Sequence, residues 1–322
     1  MNEFALIDRY FKRTIHDPHV RIGVGDDAAI VVPASGQELA ISVDMLVEGR
    51  HFLPDVDPEA LGHKVLAVNL SDLAAMGARP RWALLGGALP EADERWIEAF
   101  TRGLFALADR YGVTLIGGDT TRGPRNFCLT ILGELPAGTA ITRSGARAGD
   151  DVWVSGTLGD AMLALAAIQQ RTAVDPALLP ALRARLERPE PRIALGERLR
   201  GLASAALDVS DGLTGDLAHI LEASRVGARI ELAAVPRGEA LAAKMAGSER
   251  ELALSCQLAG GDDYELCFAA PPGARERLEA IASEVQVPVT RIGALTAEPG
   301  LVVRDERGAT LTPLPHAFDH FQ

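Results

Sequence analysis

Apolar residues in the first half of the chain follow two different spacings. Some form short runs rich in β-branched residues and bounded by Gly, Pro and Ser, which predict strands. These predicted strands are 29–32, 39–43, 82–89, 114–116 and 127–135. Two longer segments, 57–77 and 91–111, repeat apolar residues every three or four positions, the spacing of a helix with one buried face. The first half is therefore predicted to be a mixed α/β domain.

Both predicted helices carry further signals. Asp57 can cap the first helix, and Pro58 suits its first turn. The leucines at positions 61, 66, 70 and 73 share one face of this helix, while Asn69 and Asp72 share another. The predicted core stripe of the second helix is Trp96, Phe100, Leu104, Leu107 and Ala108.

The second half repeats the mixture of strands and helices. Its predicted strands are 151–155, 205–209, 228–232 and 264–269. Its predicted helices begin at Asp160, lie within 175–200, and span 212–224 and 273–285. The glycine- and turn-rich segment 136–151 is the predicted joint, so the chain is predicted to form two α/β domains, residues 1–138 and 139–322.

Composition narrows the class of partner. The 322 residues are 48% hydrophobic and carry a net charge of -12, which disfavours a nucleic-acid surface. An anionic ligand would then have to be bound by a local group of positive charges, such as a few arginines or bound cations. The three cysteines are far apart, the N-terminal segment lacks the pattern of a signal peptide, and no apolar stretch is long enough to span a bilayer. We expect a cytoplasmic protein without a membrane partner.

The most informative feature is the setting of the aspartates, which recur beside glycines or at the ends of predicted strands. They are Asp26 and Asp27, Asp44, Asp72, Asp119, Asp208 and Asp211, and Asp262 and Asp263. Any one of them is explained by ordinary turn or capping chemistry, and Asp211 before Gly212 is a predicted helix N-cap. Asp44 and Asp119 resist that explanation, because each is predicted to end a strand with no helix to cap.

Converging carboxylates would require cations, since two such charges about 4 Å apart repel by roughly 4 kcal/mol at an effective dielectric of 20. Oxygen ligands without a His or Cys cluster suit Mg²⁺, Mn²⁺ or Ca²⁺, and Mg²⁺ fills its remaining positions with water and phosphates. The set thus predicts a metal-assisted polyphosphate site. The phosphate-binding loop GxxxxGK[ST], the GxGxxG dinucleotide fingerprint and the GxSxG nucleophile elbow are absent from the sequence.

Several motifs, taken in order, resemble the thiamine-monophosphate kinase family of the aminoimidazole-ribonucleotide synthetase-like superfamily. They are GVGDDAAIV, ISVDMLVEGRHF, GHKVLAVNLSDLAAMGARP, LIGGDTTRGP, TRSGARAGD, DVSDGLTGDLAHI and GGDDYELCF. The resemblance implies a two-domain α/β fold whose N-terminal ATP- and Mg-binding domain pairs its sheet across a homodimer. It also implies ATP-dependent phosphorylation of thiamine monophosphate to thiamine diphosphate, by in-line transfer between phosphates bridged by several Mg²⁺ ions.

The resemblance further implies roles for individual residues. The implied magnesium ligands are Asp27, Ser42, Asp44, Asp72, Asp119, Asp208 and Asp211, and the implied ATP contacts are Gly118, Asp119, Arg143 and Ser210. The implied substrate contacts are His51, Asp262 and Phe318. Asp44, Asp119 and Arg143 are the predicted catalytic residues, while Asp26 and Asp263 either bind a ligand or shape the turns.

Three other interpretations remain open, and the third is an acidic α/β protein whose aspartates are only solvated. The chain could be another ATP-dependent activating enzyme of the superfamily, although the early cysteine of selenophosphate synthetase and the C-terminal Cys tail of the hydrogenase-maturation dehydratase are absent. It could also be a non-catalytic Mg-ATP sensor, which would bind the nucleotide and form no product.

Overall fold

The computed structural model describes residues 3–316. The chain divides into two compact units. Unit 1 comprises the described residues up to Leu73 together with Ala78–Thr139, and unit 2 comprises Ala74–Gly77 together with the described residues from Ala140 onward. Residues 74–77 group with unit 2 because Met76 accepts a hydrogen bond from the Ile141 amide and the Gly77 carbonyl accepts one from Arg200.

Unit 1 is a four-stranded sheet with helices and a small two-stranded sheet. Its elements are α1 (Glu3–Leu6), a π-helical turn (Ile7–Phe11), β1 (Val20–Ile22), β2 (Ile30–Val31), β3 (Gln37–Val47), α2 (Pro58–Ala75), β4 (Arg79–Leu89), α3 (Glu94–Tyr111), β5 (Thr114–Arg122) and β6 (Asn126–Pro136). The main sheet has the order β3-β6-β4-β5, in which only β4 and β5 run parallel. The long strand β3 therefore lies at an edge.

The predicted helices of unit 1 are confirmed, with one change in the core. The four leucines of α2 are buried, and Asp57 accepts a hydrogen bond from the Glu59 amide at 3.1 Å, as expected of a cap. In α3, Ile97 rather than Trp96 is fully buried. Trp96 is only half-buried because its ring stacks beside Phe100 and Phe127 at the margin of the core.

Unit 2 is a six-stranded mixed sheet with helices. Its elements are β7 (Asp151–Ser155), α4 (Asp160–Ile168), α5 (Leu179–Glu187), α6 (Ile193–Leu199), β8 (Ala205–Val209), α7 (Leu213–Ser224), β9 (Gly227–Glu231), α8 (Glu239–Ala246), α9 (Arg250–Ala259), β10 (Glu265–Ala270), α10 (Arg275–Val285), β11 (Val289–Thr296) and β12 (Gly300–Arg304). The strand order is β12-β9-β11-β7-β10-β8, and β8 forms one edge. No local sequence pattern predicted α8, α9, β11 or β12.

The fold confirms the predicted mixed α/β class. The sheets of both units combine parallel and antiparallel pairs. No helix within residues 3–316 is long and apolar enough to cross a membrane. The three cysteines form no disulfide, and Cys256 and Cys267 are buried.

Candidate active site

The clearest convergence of predicted residues lies between β3 and α2. The Ser42 hydroxyl donates a hydrogen bond to the Asp72 carboxylate. Two residues along β3, the Asp44 amide donates to the Asn69 side-chain oxygen at 3.2 Å. Asn69 is fully buried and also donates to the Val65 carbonyl, so its amide is held in one orientation. Ser42 and Asp72 therefore meet through their side chains, whereas Asp44 is tied to α2 through its backbone amide.

Asn69 is a residue that the sequence analysis left without a role. It shares a helix face with Asp72, and that spacing was the available signal. Only the packing of α2 against β3 reveals that it supports the backbone of Asp44.

Asp44 and Asp119 lie inside strands rather than at strand ends, so that expectation is wrong. β3 continues to Val47 and β5 to Arg122, because each remains paired with its neighbour along this length. The register aligns Asp44 with Leu129, Leu129 with Leu85, and Leu85 with Gly118, the neighbour of Asp119. Three strand spacings separate the two positions, about 14 Å at about 4.8 Å per spacing.

Gly118 has a structural reason to be glycine. Its φ is +152°, and a Cβ atom there would lie 2.0 Å from the Leu85 carbonyl oxygen on the neighbouring strand. Asp119 is exposed, and together with Gly118 and Thr120 it borders a largely apolar pocket lined by Phe11, Phe127 and other residues of unit 1. The close contact of β4 and β5 therefore shapes the backbone that carries Asp119.

Asp26 and Asp27 play different parts in their turn. The Asp26 carboxylate accepts a hydrogen bond from the Asp27 amide at 2.9 Å. Asp27 is exposed. Asp26 therefore shapes the turn, and the Asp27 side chain is presented to solvent.

His51 is held in a tight turn after β3. Its Nδ1 accepts a hydrogen bond from the Val47 amide at 3.0 Å, which in the neutral ring leaves the proton on Nε2. Its carbonyl accepts from Nζ of Lys64, a buried lysine of α2, at 3.1 Å. The turn thus fixes both the ring tautomer and the backbone of His51.

In unit 2, the loop after β8 carries Ser210 and Asp211, while Asp208 lies within that strand. Asp211 is not the N-cap of α7, contrary to expectation: Gly212 takes that position and makes no side-chain cap. Asp216, in the first turn of α7, instead accepts hydrogen bonds from the amides of Ser210, Asp211 and Gly212. Burial raises the pKa of Asp216 to about 6, although these backbone donors oppose the rise.

A second loop of unit 2, just before β10, carries Asp262. Its amide donates to the Ser210 carbonyl at 2.9 Å, and the Tyr264 hydroxyl donates to its carboxylate at 3.2 Å. Asp262 and Tyr264 have positive φ angles, +65° and +50°. Asp263 is buried and accepts from the Gly159 amide at 2.9 Å, and its burial raises its pKa well above the usual range. Asp263 therefore anchors the turn that presents Asp262.

Two predicted site residues remain, Arg143 and Phe318. Arg143 is exposed, and its carbonyl accepts a hydrogen bond from the Ser224 hydroxyl. Phe318 lies outside the described residues.

The donor chemistry of the site suits a hard cation. Carboxylate oxygens are ligands that Mg²⁺ prefers, and the Asp72 carboxylate lies in hydrogen-bond contact with the Ser42 hydroxyl. Across residues 3–316, no group of three or more His, Cys, Asp or Glu side chains is already gathered closely enough to hold a metal. The residues of the predicted set fit Mg²⁺ by chemical type.

Family models match both units of this fold. The N-terminal domain model of AIR synthase related proteins matches residues 25–135, and the C-terminal domain model matches residues 147–306. These matches cover most of the chain, which therefore belongs to the AIR synthase related protein family.

Individual relatives narrow this class. The thiamine-monophosphate kinase of Escherichia coli K12 is 49% identical over 323 residues, covering 99% of this chain and 98% of that protein. The crystal structure of thiamine-monophosphate kinase from Stenotrophomonas maltophilia K279a is 48% identical, with a TM-score of 0.86 over 94% of this chain and 96% of that one. AaThiL complexed with AMPPCP and TMP is 31% identical, with a TM-score of 0.78 over 90% and 89% of the two chains. Relatives at this identity and coverage place the chain in the thiamine-monophosphate kinase group of this family, which confirms the resemblance and the predicted enzyme class, a phosphotransferase.

Proposed function

We propose that this chain transfers the γ-phosphoryl group of ATP to thiamine monophosphate and forms thiamine diphosphate. The observation that carries the proposal is the 49% identity to the Escherichia coli thiamine-monophosphate kinase along nearly the full length of both chains. The related AaThiL structure holds AMPPCP, an ATP analogue, together with TMP, which supports a site for both reactants.

The acceptor supplies its own nucleophile. A phosphate monoester is partly or fully dianionic near neutral pH, so its oxygen can attack the γ-phosphorus in line without a strong catalytic base. This chemistry agrees with a site built from acidic and hydroxyl side chains rather than from a nucleophile and its base. The main task of the protein is to hold two anions together in line.

The proposed roles are those that the family resemblance implies, and the contact between Ser42 and Asp72 supports them. Ser42, Asp44 and Asp72 would hold Mg²⁺ at β3 and α2, and Asp27, Asp119, Asp208 and Asp211 complete the proposed ligand set. Bound Mg²⁺ would neutralise the charge of the two phosphates and polarise the transferred group. Gly118, Arg143 and Ser210 would contact ATP, and Arg143 is exposed and can add positive charge at the phosphates.

The proposed substrate contacts are His51, Asp262 and Phe318. His51 would donate from Nε2, because Nδ1 already accepts the Val47 amide. Asp262 would meet the cationic vitamin through a carboxylate oriented by Tyr264. We also propose that residues 1–138 form the nucleotide and metal domain, that residues 139–322 form the second domain, and that the enzyme works in the cytoplasm.

A homodimer is part of the proposal and is supported by the edge strand β3. Alternate residues of this strand, Leu39, Ile41, Val43 and Met45, expose large apolar side chains, and Ile41 is 61% exposed. An exposed apolar face on a long edge strand favours pairing with a second copy. The separation of Asp44 from Asp119 points the same way, because a second copy could supply the Asp119 that one chain holds about 14 Å away.

The test is to mix the purified protein with Mg²⁺, ATP and thiamine monophosphate and to resolve the products by chromatography, with a control lacking the acceptor. Equal amounts of thiamine diphosphate and ADP are expected. ADP and phosphate without thiamine diphosphate would reject the acceptor, and nucleotide binding without turnover would favour a sensor.

A further inference from the structure

The loop after β8 is held by a single carboxylate. One oxygen of Asp216, Oδ2, accepts three hydrogen bonds from consecutive backbone amides, at 3.0 Å from Ser210, 3.0 Å from Asp211 and 3.1 Å from Gly212. Asp216 is only 6% exposed. Hydrogen bonds to a charged acceptor are about twice as strong as those between neutral groups, so the three amides are firmly oriented.

The opposite side of the same loop is fixed by the turn before β10. The Ser210 carbonyl accepts the Asp262 amide at 2.9 Å, and the Val209 carbonyl accepts the Tyr264 amide at 2.8 Å. Gly212 has a φ of +112°, and a Cβ atom there would lie 2.6 Å from the Ala259 backbone. With the carbonyl side tied to one turn and the amide side tied to Asp216, the loop has little freedom left.

This arrangement has a consequence for ligand binding. Backbone amides at the start of a helix can bind a phosphate when they have no other acceptor. The amides of residues 210–212 already donate to the Asp216 carboxylate. A ligand at this loop is therefore met by the side chains of Ser210 and Asp211, whose directions depend on the backbone that Asp216 holds.

We propose that Asp216 is a positioning residue, which acts through Ser210 and Asp211 to set the affinity for Mg-nucleotide. The inference rests on the proposed function in taking those two residues as nucleotide and metal contacts. Asp216 itself touches neither reactant, because its carboxylate is buried against the loop that it holds. A residue that served only as a helix cap would change the stability of unit 2 and leave nucleotide affinity unchanged.

The experiment compares Asp216→Asn and Asp216→Ala with Asp150→Asn. Asp150 is a matched control in unit 2, since it is 7% exposed and accepts hydrogen bonds from the Arg147 amide and the Ser204 hydroxyl, away from this loop. For each protein, calorimetry gives the Kd for AMPPCP with Mg²⁺, a thermal melt gives the Tm, and kinetics give kcat and the KM for ATP. Hydrogen exchange of a peptide covering 208–218, without ligand, reports the loop directly.

We expect Asp216→Ala to weaken binding of Mg-AMPPCP and raise the KM for ATP by about tenfold or more, because small misplacements of site residues are costly. Asp216→Asn should fall between this variant and the wild type, since its amide keeps one acceptor oxygen. Exchange in 208–218 should rise in the same order. Asp150→Asn should lower the Tm while Kd and KM stay within about twofold of the wild type.

Unchanged Kd and KM in both Asp216 variants would overturn the proposal. So would changes in Kd and KM of the same size in Asp150→Asn, or a wild type that does not bind Mg-AMPPCP. If Asp216→Ala does not fold, the Asp216→Asn variant decides. A wild type that binds Mg-AMPPCP without forming thiamine diphosphate would reject the proposed function, and the binding comparison would still test Asp216.

Discussion

A buried acid of unit 2 and two exposed acids of unit 1 have different surroundings. In unit 2, Glu265 is 0% exposed, forms ion pairs with Arg185 and Arg192, and accepts a hydrogen bond from the Ser155 hydroxyl. In unit 1, by contrast, Asp27 and Asp119 are exposed. A buried charge without an ion-pair or hydrogen-bond partner destabilises the fold. An exposed carboxylate is hydrated and can bind a cation from solution. Burial with two arginine partners therefore marks Glu265 as a structural acid, whereas Asp27 and Asp119 stay accessible to a cation.

The two units also differ in how much apolar strand surface they expose. The outward residues of β3 in unit 1 are among the most exposed large hydrophobic side chains of the described residues. In unit 2, the alternate residues of β8 and β10 are buried on both faces. Strand β3 of unit 1 thus exposes an apolar face, whereas β8 and β10 of unit 2 bury both of theirs.

The strongest test of this comparison is Asp44→Asn. We expect turnover to fall by about 100- to 1,000-fold, because the site would lose a charged ligand of the transferring phosphates. The Tm should change by only a few degrees, since Asp44 is half-buried and its backbone contact to Asn69 is kept. Steady-state kinetics and a thermal melt measure the two effects. Asp55→Asn, at an exposed position of unit 1, is the control, and an inactive but unfolded Asp44→Asn protein would count against the assignment.

Glu265→Gln should mainly lower stability, whereas Asp44→Asn should mainly lower turnover. Removing the carboxylate leaves Arg185 and Arg192 without their common partner, so we expect the free energy of unfolding to drop by about 3 kcal/mol. Denaturant unfolding measures this loss. Glu284→Gln, which removes an exposed partner of Arg198 and Arg277, should change it by less than about 1 kcal/mol. Equal effects of the two variants would show that burial does not distinguish these acids.

Ile41→Glu tests the apolar strand of unit 1. A charge in an apolar contact between two copies should weaken the dimer by about 100-fold or more, because the carboxylate would be buried without a partner. Light scattering after size-exclusion chromatography gives the mass in solution. Val302→Glu on β12, where the side chain is 38% exposed, is the matched control and should leave the mass unchanged. A wild type that is already monomeric would contradict the proposed dimer.

The last test is the pH dependence of stability that Asp263 contributes. Burial raises its pKa in the folded state well above the usual value, so the folded protein binds a proton there that the unfolded chain has released. Its contribution to stability is fully present below about pH 4 and is lost as pH rises toward the folded pKa, at most about 1.4 kcal/mol per pH unit. Asp263→Asn should lack this fall. Denaturant unfolding between about pH 4 and 7 gives the difference between the two proteins, and a difference that does not change with pH would refute the prediction.

Much of the fold could be predicted because its elements carry local signals. The leucine spacing of α2, its Asp57 cap and the apolar run of β8 each agree with the structure. Among the segments left unassigned, β11 and β12 depend on pairing with strands that are distant in sequence. β11, for instance, is bounded by its pairing with β7 and β9, which are distant in sequence.

For the site, the sequence by itself determined the residue types and their motifs. The oxygen ligands, the spacing of Asn69 and Asp72, and the family resemblance are all properties of the amino-acid order. The roles of Asp27, Ser42, Asp208 and the other candidate residues stay predictions until they are tested by substitution.

Tertiary structure decided which acid does what. Asp211 stands where a cap is expected, yet Asp216 five residues later holds the loop, because the first turn of α7 brings its carboxylate under three amides. Asp26 and Asp27 are the same residue type at adjacent positions, but only Asp26 accepts the hydrogen bond that shapes their turn. Asp263 differs from Asp262 in the same way, since it is buried against the Gly159 amide. The sequence determines the chemical groups, whereas burial and hydrogen-bond partners arise from packing between distant segments, and these decide whether a carboxylate supports the fold or meets a ligand.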